Sequence, residues 1–447
     1  MQIAIIGAGP AGLFLGSALA RRGHHVVTVD RDPGPAEGAP WSRRGVMQFH
    51  HAHAFRQTVV ESLGRELPDA VDLWHRAGAE PIEFTPPGGP LTTLGLRSRR
   101  ETFERALHTA AIATPGFTVR QGHVDAVIAE AGRAAGLIVD GSRLDADLVI
   151  DASGRAGRAT RSLGERVGVG GPCGQAYVDR VYRLRPGAEP GPMSNPIAWT
   201  AEFDGYLSLI FRHEQGYFSV LIVRRDSDRA LRGLRHEDAF EAATRAIPGL
   251  DVWTDPERSE PVTDVLAGGA LLNVYRGQVT AEGGLVLPGL FFVGDSVATT
   301  TPVFGRGLTT TLWQCESLLS LLDQDSEDLV GVGLAFDEWS TATMRPWVED
   351  HIHLDTARVS RWNGADIDVE APLPSDLILA AAEVRPDIMA SAQGYLSMAA
   401  LPATLRAAEP IAREVYAGGW RPAYSPGPTR DELAALVATT VGEAQPA

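Results

Sequence analysis

The first thirty residues, MQIAIIGAGPAGLFLGSALARRGHHVVTVD, restrict the possible folds more than any other stretch of this 447-residue chain. Residues 3–6 are a short apolar run with strand character. Gly7, Gly9 and Gly12 follow as G-x-G-x-x-G, with Ala11 before the last glycine. Apolar residues then recur with a helical period over 13–22, and a second apolar run over 26–29 ends at Asp30, 18 residues past Gly12. Each part has a physical task. Gly7 permits the tight turn, Gly9 lets backbone N–H groups approach a pyrophosphate, and Gly12 lets the helix pack on the strand. The pyrophosphate would sit on the positive end of that helix. Asp30, followed by Arg31, stands at the strand tip, where it can accept bonds from both ribose hydroxyls of an adenosine. This order of strand, turn, helix and acid predicts a dinucleotide site without choosing between NAD and FAD.

The length calls for two or three domains. A hydrophobic fraction of 44% and a charged fraction of 21% fit an ordinary globular protein. The net charge of −16 argues against nucleic acid as a partner. Cys173 and Cys315 stand in no motif, so neither a disulfide framework nor a cysteine metal site is expected, and a reducing cytoplasm fits. The chain enters a strand at once and has no apolar run of the roughly 20 residues that a membrane helix requires, so the expectation is neither a signal peptide nor an integral membrane segment. All 40 basic residues are arginine. That usage points to a G+C-rich genome, and it excludes a Walker A loop, a Schiff-base enzyme and any step that needs a lysine ammonium.

Further along, a turn-rich segment over 33–40 leads into WSRRGVMQFHHAHAFR. Apolar spacing predicts helices over 57–67, 71–78 and 100–112, with a loop over 86–90. Short strands are predicted over 117–120, 124–129, 134–139 and 144–150. From 171 to about 265 the composition turns strand-rich, with strands over 177–184, 197–203, 206–212 and 217–224 and a helix over 236–246. A buried strand over 285–293 and a helix from Leu308 follow, and beyond 334 the chain is helical and tryptophan-bearing. The expected class is α/β. A Rossmann-like dinucleotide-binding domain (1–170 and 266–333, with substrate-domain elements near 75–100) is interrupted by a β-rich substrate domain (171–265). A helical C-terminal region (334–447) follows, suited to capping the pocket or to forming a dimer surface.

The second signal is LFFVGDSVATTTPVFGRGLTTTL over 290–312. Gly294 and Asp295 end a strand and offer a carboxylate to a ribityl or ribose hydroxyl. Gly305 and Gly307 precede the helix at Leu308, so N–H groups and the positive helix end would face the edge of a flavin that gains negative charge on reduction, with Pro302 fixing the loop over the ring. With GAGPAG at the N-terminus, this GDS and the P-x-x-G-x-G-L run, the chain resembles the FAD-dependent monooxygenase superfamily. That superfamily includes p-hydroxybenzoate hydroxylase, styrene epoxidase, polyether epoxidases and flavin halogenases.

The resemblance implies an FAD enzyme that uses molecular oxygen, through a flavin C4a-hydroperoxide, to hydroxylate or epoxidise a mainly apolar small molecule of bacterial secondary metabolism. It also implies cofactor roles for Arg100, which opens an R-x-x-L-x-x-x-L-like helix with Phe103 and Leu107. Arg44 would lie near the flavin, with Arg43 competing, and Val124 would join the cofactor surface. DASGR at 151–155 departs from the D-G motif of NAD(P)H-using hydroxylases and looks more like the epoxidases, halogenases and prenyl reductases. Direct reduction by NADPH or NADH and supply from a partner flavin reductase therefore both stand, as does a hydride-transferring reductase of the prenyl-reductase type. The related halogenases use a lysine and a W-x-W-x-I-P motif; this chain has no lysine and only Trp199 in the corresponding NPIAWTAEF, which argues against halogenation.

Because the cofactor carries such chemistry, an apolar pocket is expected rather than a catalytic triad. Pocket candidates are His50, His53, Pro302 and Gly305. His50, His51 and His53 lack the i, i+4 spacing and nearby carboxylate of a metal site, so no metal is predicted. His351 and His353 read as helix-surface residues. Trp199, Phe203, Tyr206, Phe211, Tyr217 and Phe218 lie on or beside the inserted strands, where they either roof the pocket or form the core of the sheet. Trp199 and Phe203, four residues apart, would share a face.

Overall fold

The structure is a computed structural model that describes residues 1–443 apart from 37, 44 and 87. The predicted Arg44 therefore lies outside the described residues. The strand Gln2–Ile6 forms the middle of a five-stranded parallel sheet, flanked by Leu148–Asp151 and then Leu290–Phe292 on one side, and by His25–Asp30 and then Phe117–Gln121 on the other. Gln2–Ile6 and Leu148–Asp151 are apolar but for one end residue each, because helices cover a parallel sheet on its faces. Helices Pro10–Arg21, Arg100–Ile112 and Gly307–Gln324 bury Leu13, Phe14, Leu107, Leu312 and Leu318 in one core with Ile3, Ile5 and Ile150.

Two predicted strands are shorter or divided. The run over 285–293 yields only Leu290–Phe292, since Gly289 at φ +79° turns the chain and Leu290 N–H donates to Leu287 O. The run over 144–150 splits at Ala146–Asp147. Ser142–Asp145 joins an antiparallel three-stranded sheet with Val124–Glu130 and Arg133–Val139, while Leu148–Asp151 joins the parallel one. Asp147 fixes the break: its N–H donates to Gln2 O, and its carboxylate accepts Gln2 N–H. A hairpin not anticipated, Glu80–Phe84 with Thr92–Arg97, turns around the predicted loop and pairs onward with Phe55–Arg56.

The β-rich segment is an antiparallel sheet in which Tyr206–Arg212 lies between Ala198–Phe203 and Tyr217–Arg225, with Gln175–Leu184 next and Ser259–Pro261 beyond it. Period-two alternation divides its side chains. Tyr206, Ile210, Phe218, Val220, Ile222 and Val178 face a core closed by Glu237–Ala246 and by Arg430–Glu443, which brings Leu433 and Val437. Leu207, Leu209, Leu221, Val223 and Tyr177 face the other way.

C-terminal to the nucleotide fold, Leu329–Thr343 and Arg345–Trp362 meet at Met344, with Pro346 in the first turn of the second helix. Trp347 joins a small separate core with Leu377, Ile388, Tyr395 and Tyr416. No helix among the described residues is long and apolar enough to cross a membrane.

Candidate active site

A cavity of about 980 Å³ runs from the glycine turn to the face of the antiparallel sheet that turns away from its helix-covered core. Its volume lies at the top of the range usual for ligand sites. At the nucleotide end the backbone decides the shape. Gly7 sits at φ +103°, and a Cβ there would approach Ala152 O to 2.7 Å; a Cβ on Gly12 would stand 1.9 Å from Gly7 O. The helix begins at Pro10 behind Gly9, with no side chain capping it, so its first N–H groups remain for a ligand. Gly7, Gly9 and Ala11 line the cavity, while Gly12 is turned into the helix–strand packing.

Asp30 reaches this wall with its carboxylate already engaged. Oδ2 accepts Ala8 N–H at 2.7 Å and Arg43 at 2.6 Å, and Oδ1 accepts Asp32 N–H at 2.9 Å. A carboxylate offers about four lone-pair sites, which leaves room for one ribose hydroxyl rather than the expected two. Arg43, competitor of Arg44, is buried on the wall and also binds Glu104 at 2.8 Å. The other oxygen of Glu104 takes Arg100 at 2.5 Å. Burial alone would raise the pKa of Glu104, but Arg100 and Arg43 outweigh it and hold the group below the usual range. Sequence reading missed Glu104, although it stands one turn after Arg100 on the same predicted helix. Arg31 and Phe103 lie on the wall as well; Val124 does not, being packed with Val29 and Val139 in the core beneath.

In the middle of the cavity stand Gly294, Asp295 and the loop from Thr299 to Leu308. Gly294 N–H donates to Gln314, and the Asp295 side chain opens onto the cavity. Desolvation by the protein around the cavity raises the pKa of that carboxylate against the pull of Arg100 and Arg155. Pro302, Gly305, Gly307 and Leu308 all line the cavity, with Gly305 at φ +60°. Ser153, Gly154 and Arg155 of DASGR do so too; the Asp151 carboxylate instead turns inward to Ser153 and Thr160.

The loop is braced from behind by residues distant in sequence. Asp355 accepts Gln175, Asn273 and Thr301 at 2.7, 2.7 and 2.8 Å, and Asn273 in turn accepts Thr301 N–H. Arg306 pairs with Asp350 at 3.1 Å and lies against Trp347 and Tyr395. His351 lies inside this packing, hydrogen-bonded to Thr301, and its fully buried position corrects the expected place on a helix surface. The reason is that its helix is covered on both sides, by the loop and by the C-terminal core. His353 is half-buried beside Arg406.

The far end is apolar. Tyr177, Leu209, Phe211, Leu221, Val223 and Leu271 form its wall. Of the aromatics singled out in the sequence, only Phe211 is there. Trp199, Phe203, Tyr206 and Phe218 belong to the opposite, helix-covered face, and Tyr217 stacks under Arg99. The period-two pattern was available in the sequence, but not which phase faced the cavity. His53 lines the wall while His50 does not; His51 does, beside Asp179.

This architecture is shared with flavin-dependent enzymes of known structure. The family described as lycopene cyclase protein matches residues 2–170. A D-amino acid dehydrogenase 2 of Ralstonia nicotianae is 41% identical over 51 residues, 11% of this chain and 12% of that protein. Among solved structures, the flavin-dependent brominase Bmp2 superposes with a TM-score of 0.65 at 15% identity, covering 94% of this chain and 99% of that one. The flavin-dependent halogenase CmlS gives 0.62 at 17%, covering 99% and 77%. PqsL, a probable FAD-dependent monooxygenase from Pseudomonas aeruginosa, gives 0.58 at 15%, covering 82% and 100%. At such identities the structures establish a shared fold, the one adopted by these flavin-dependent enzymes. With the family match they support FAD as the cofactor and a flavoprotein oxidoreductase as the class.

Proposed function

We propose that the protein is an FAD-dependent monooxygenase that inserts one oxygen atom, by hydroxylation or epoxidation, into a mainly apolar small molecule. The observation that carries this reading is the continuous cavity, which joins a built dinucleotide site to an apolar sheet face. The residues present fit FAD. Glycine turn and free helix N–H groups suit its pyrophosphate, Asp30 and Arg43 its adenosine end, and Asp295 with the Pro302–Gly307 loop its ribityl chain and ring. When bound, FAD supplies the electron transfer between a reductant and molecular oxygen. The chain's own contribution is to orient and to exclude water: the sheet face keeps the far end dry, and Asp355 and Arg306 hold the loop against the ring position.

Several fold neighbours are halogenases, yet the complete absence of lysine favours oxygen insertion. DASGR favours a partner flavin reductase over direct use of NADH or NADPH.

The test is to reduce the FAD-loaded protein anaerobically and mix it with oxygen. Reoxidation in two resolved absorbance steps supports the proposal. Single-step reoxidation together with anaerobic turnover of a substrate would replace it by the prenyl-reductase type. Rapid flavin bleaching by NADH or NADPH alone would overturn the partner-reductase assignment.

A further inference from the structure

The apolar end of the cavity carries one built polar feature, which oxygen insertion as such does not require. Asp179 is completely buried on strand Gln175–Leu184, two residues beyond Tyr177 and on the same face. Its Oδ2 accepts Ala52 N–H at 2.8 Å and lies 3.3 Å from Nδ1 of His51. His51 is itself buried, lines the cavity and abuts the Tyr177 ring edge-on at 5.0 Å. With Asp179 on the Nδ1 side, the ring presents its opposite edge, carrying Nε2, to the cavity.

His53 braces the segment. Its Nδ1 lies 2.9 Å from the carbonyl oxygen of His51. A carbonyl only accepts, so Nδ1 of His53 carries the proton and its Nε2 keeps a lone pair. Asp179 stands on the Nδ1 side of His51, with its Oδ2 held in place by Ala52 N–H. Burial, with Arg100 nearby, holds His53 neutral. Imidazole nitrogens of His51 and His53 thus stand at a wall otherwise made of Tyr177 and of Leu, Val and Phe side chains, and a buried acceptor left unpaired is costly.

We propose that His51, oriented by Asp179, is the specificity-determining acceptor for a hydroxyl group on an uncharged and otherwise apolar substrate. This rests on the reading that the far end of the cavity holds the substrate. Asp179 acts as a positioning residue, and ligands that lack the donor, such as pure hydrocarbons, are disfavoured because they strand the imidazole.

The test uses the oxidised, FAD-loaded protein in equilibrium dialysis with 2-naphthol and its methyl ether, 2-methoxynaphthalene. Neither reductant nor turnover enters, so the outcome is independent of whether oxygen is inserted. 2-Naphthol is expected to bind about tenfold more tightly than the ether, the scale of one hydrogen bond to a buried acceptor. His51→Leu should abolish that preference while leaving FAD content and ether binding in place. His51→Gln, which keeps an acceptor at similar reach, should restore most of it, which a merely structural role would not predict. Asp179→Asn should reduce the preference in part. Equal binding of the two probes, binding of neither, or a preference that survives His51→Leu overturns the proposal.

Discussion

The two ends of the cavity are built by different physics. At the nucleotide end, permanent charges and backbone groups do the work: Asp30, Arg43, Glu104 and Arg100 form one chain of ion pairs over a glycine turn. At the sheet end, aliphatic and aromatic side chains make the wall, and the polar groups among and behind it include buried imidazoles: His53 and His213 are both pushed down in pKa by burial. The first arrangement is insensitive to pH near neutrality and intolerant of any change of shape. The second tolerates shape changes better but responds to acid. A cofactor that never changes calls for the former; a substrate wall free to vary calls for the latter.

The comparison breaks most severely at Gly12. A Cβ there meets a backbone oxygen at 1.9 Å, which no rotamer change relieves. Gly12→Ala should cost more than the ~1–3 kcal/mol typical of overpacking and abolish FAD retention. Purified variant with normal flavin content would refute the close packing of helix on strand. Next is Glu104→Gln, which leaves Arg43 and Arg100 without their shared carboxylate. Breaking a buried pair in this way costs about 3–5 kcal/mol, to be read as a lowered denaturation midpoint together with weakened FAD binding. If the midpoint falls but FAD affinity does not, Glu104 supports the fold without positioning the cofactor.

The same contrast explains what could be read in advance. Gly7 to Asp30 is one contiguous βαβ unit whose partners lie within about thirty residues, so spacing alone exposes it. Glu104 was within reach for the same reason, one helical turn from Arg100. The sheet end is assembled from residues far apart in the chain. Asp179 meets Ala52 across 127 positions, and Asp355 meets Gln175 across 180. Nothing local in QAYVDRVYRL tells which phase of the alternation faces a cavity. The aromatic residues Phe203, Tyr206 and Phe218 were natural candidates for a pocket roof, yet they went to the helix-covered face, where the last helix, Arg430–Glu443, returns to bury them. His351 misled for a similar reason: the loop and the C-terminal core that cover its helix come from distant parts of the chain.

Acid sharpens the contrast further. His213 is buried at the turn of the sheet, bonded to Ser219, and burial lowers its pKa from 6.5 to about 4. A folded-state value below the unfolded one means that the unfolded chain binds more protons in that window. Its contribution is therefore fully present above pH 6.5 and is lost progressively as pH falls toward 4. At pH 5 the loss amounts to roughly 2 kcal/mol from this group alone, at 1.36 kcal/mol per unit. Thermal melts between pH 7 and 5 should show that slope, and His213→Leu should be less stable at neutral pH but flatter in pH dependence. An unchanged slope in the variant would place the acid sensitivity elsewhere, with His53 and His351 the next groups to replace.

Asp295 sits where the two regimes meet and gives the smallest expected effect. Its carboxylate accepts no hydrogen bond from the described residues, and the bond that ties it to Thr299 uses its backbone oxygen, which any substitution keeps. With no bond to lose and its pKa raised by desolvation, its removal costs the empty fold little. Asp295→Ala should accordingly leave the unfolding free energy of the FAD-free protein unchanged within about 0.5 kcal/mol. FAD binding should weaken about tenfold, the value of one charge-assisted hydrogen bond to a cofactor hydroxyl. The split between these two measurements carries the argument. A loss of FAD affinity without loss of fold assigns Asp295 to the cofactor, as its open position requires. A loss of both would mean that the Gly294–Ser296 turn depends on the carboxylate through contacts of its own, and an unchanged FAD affinity would remove Asp295 from the cofactor site altogether.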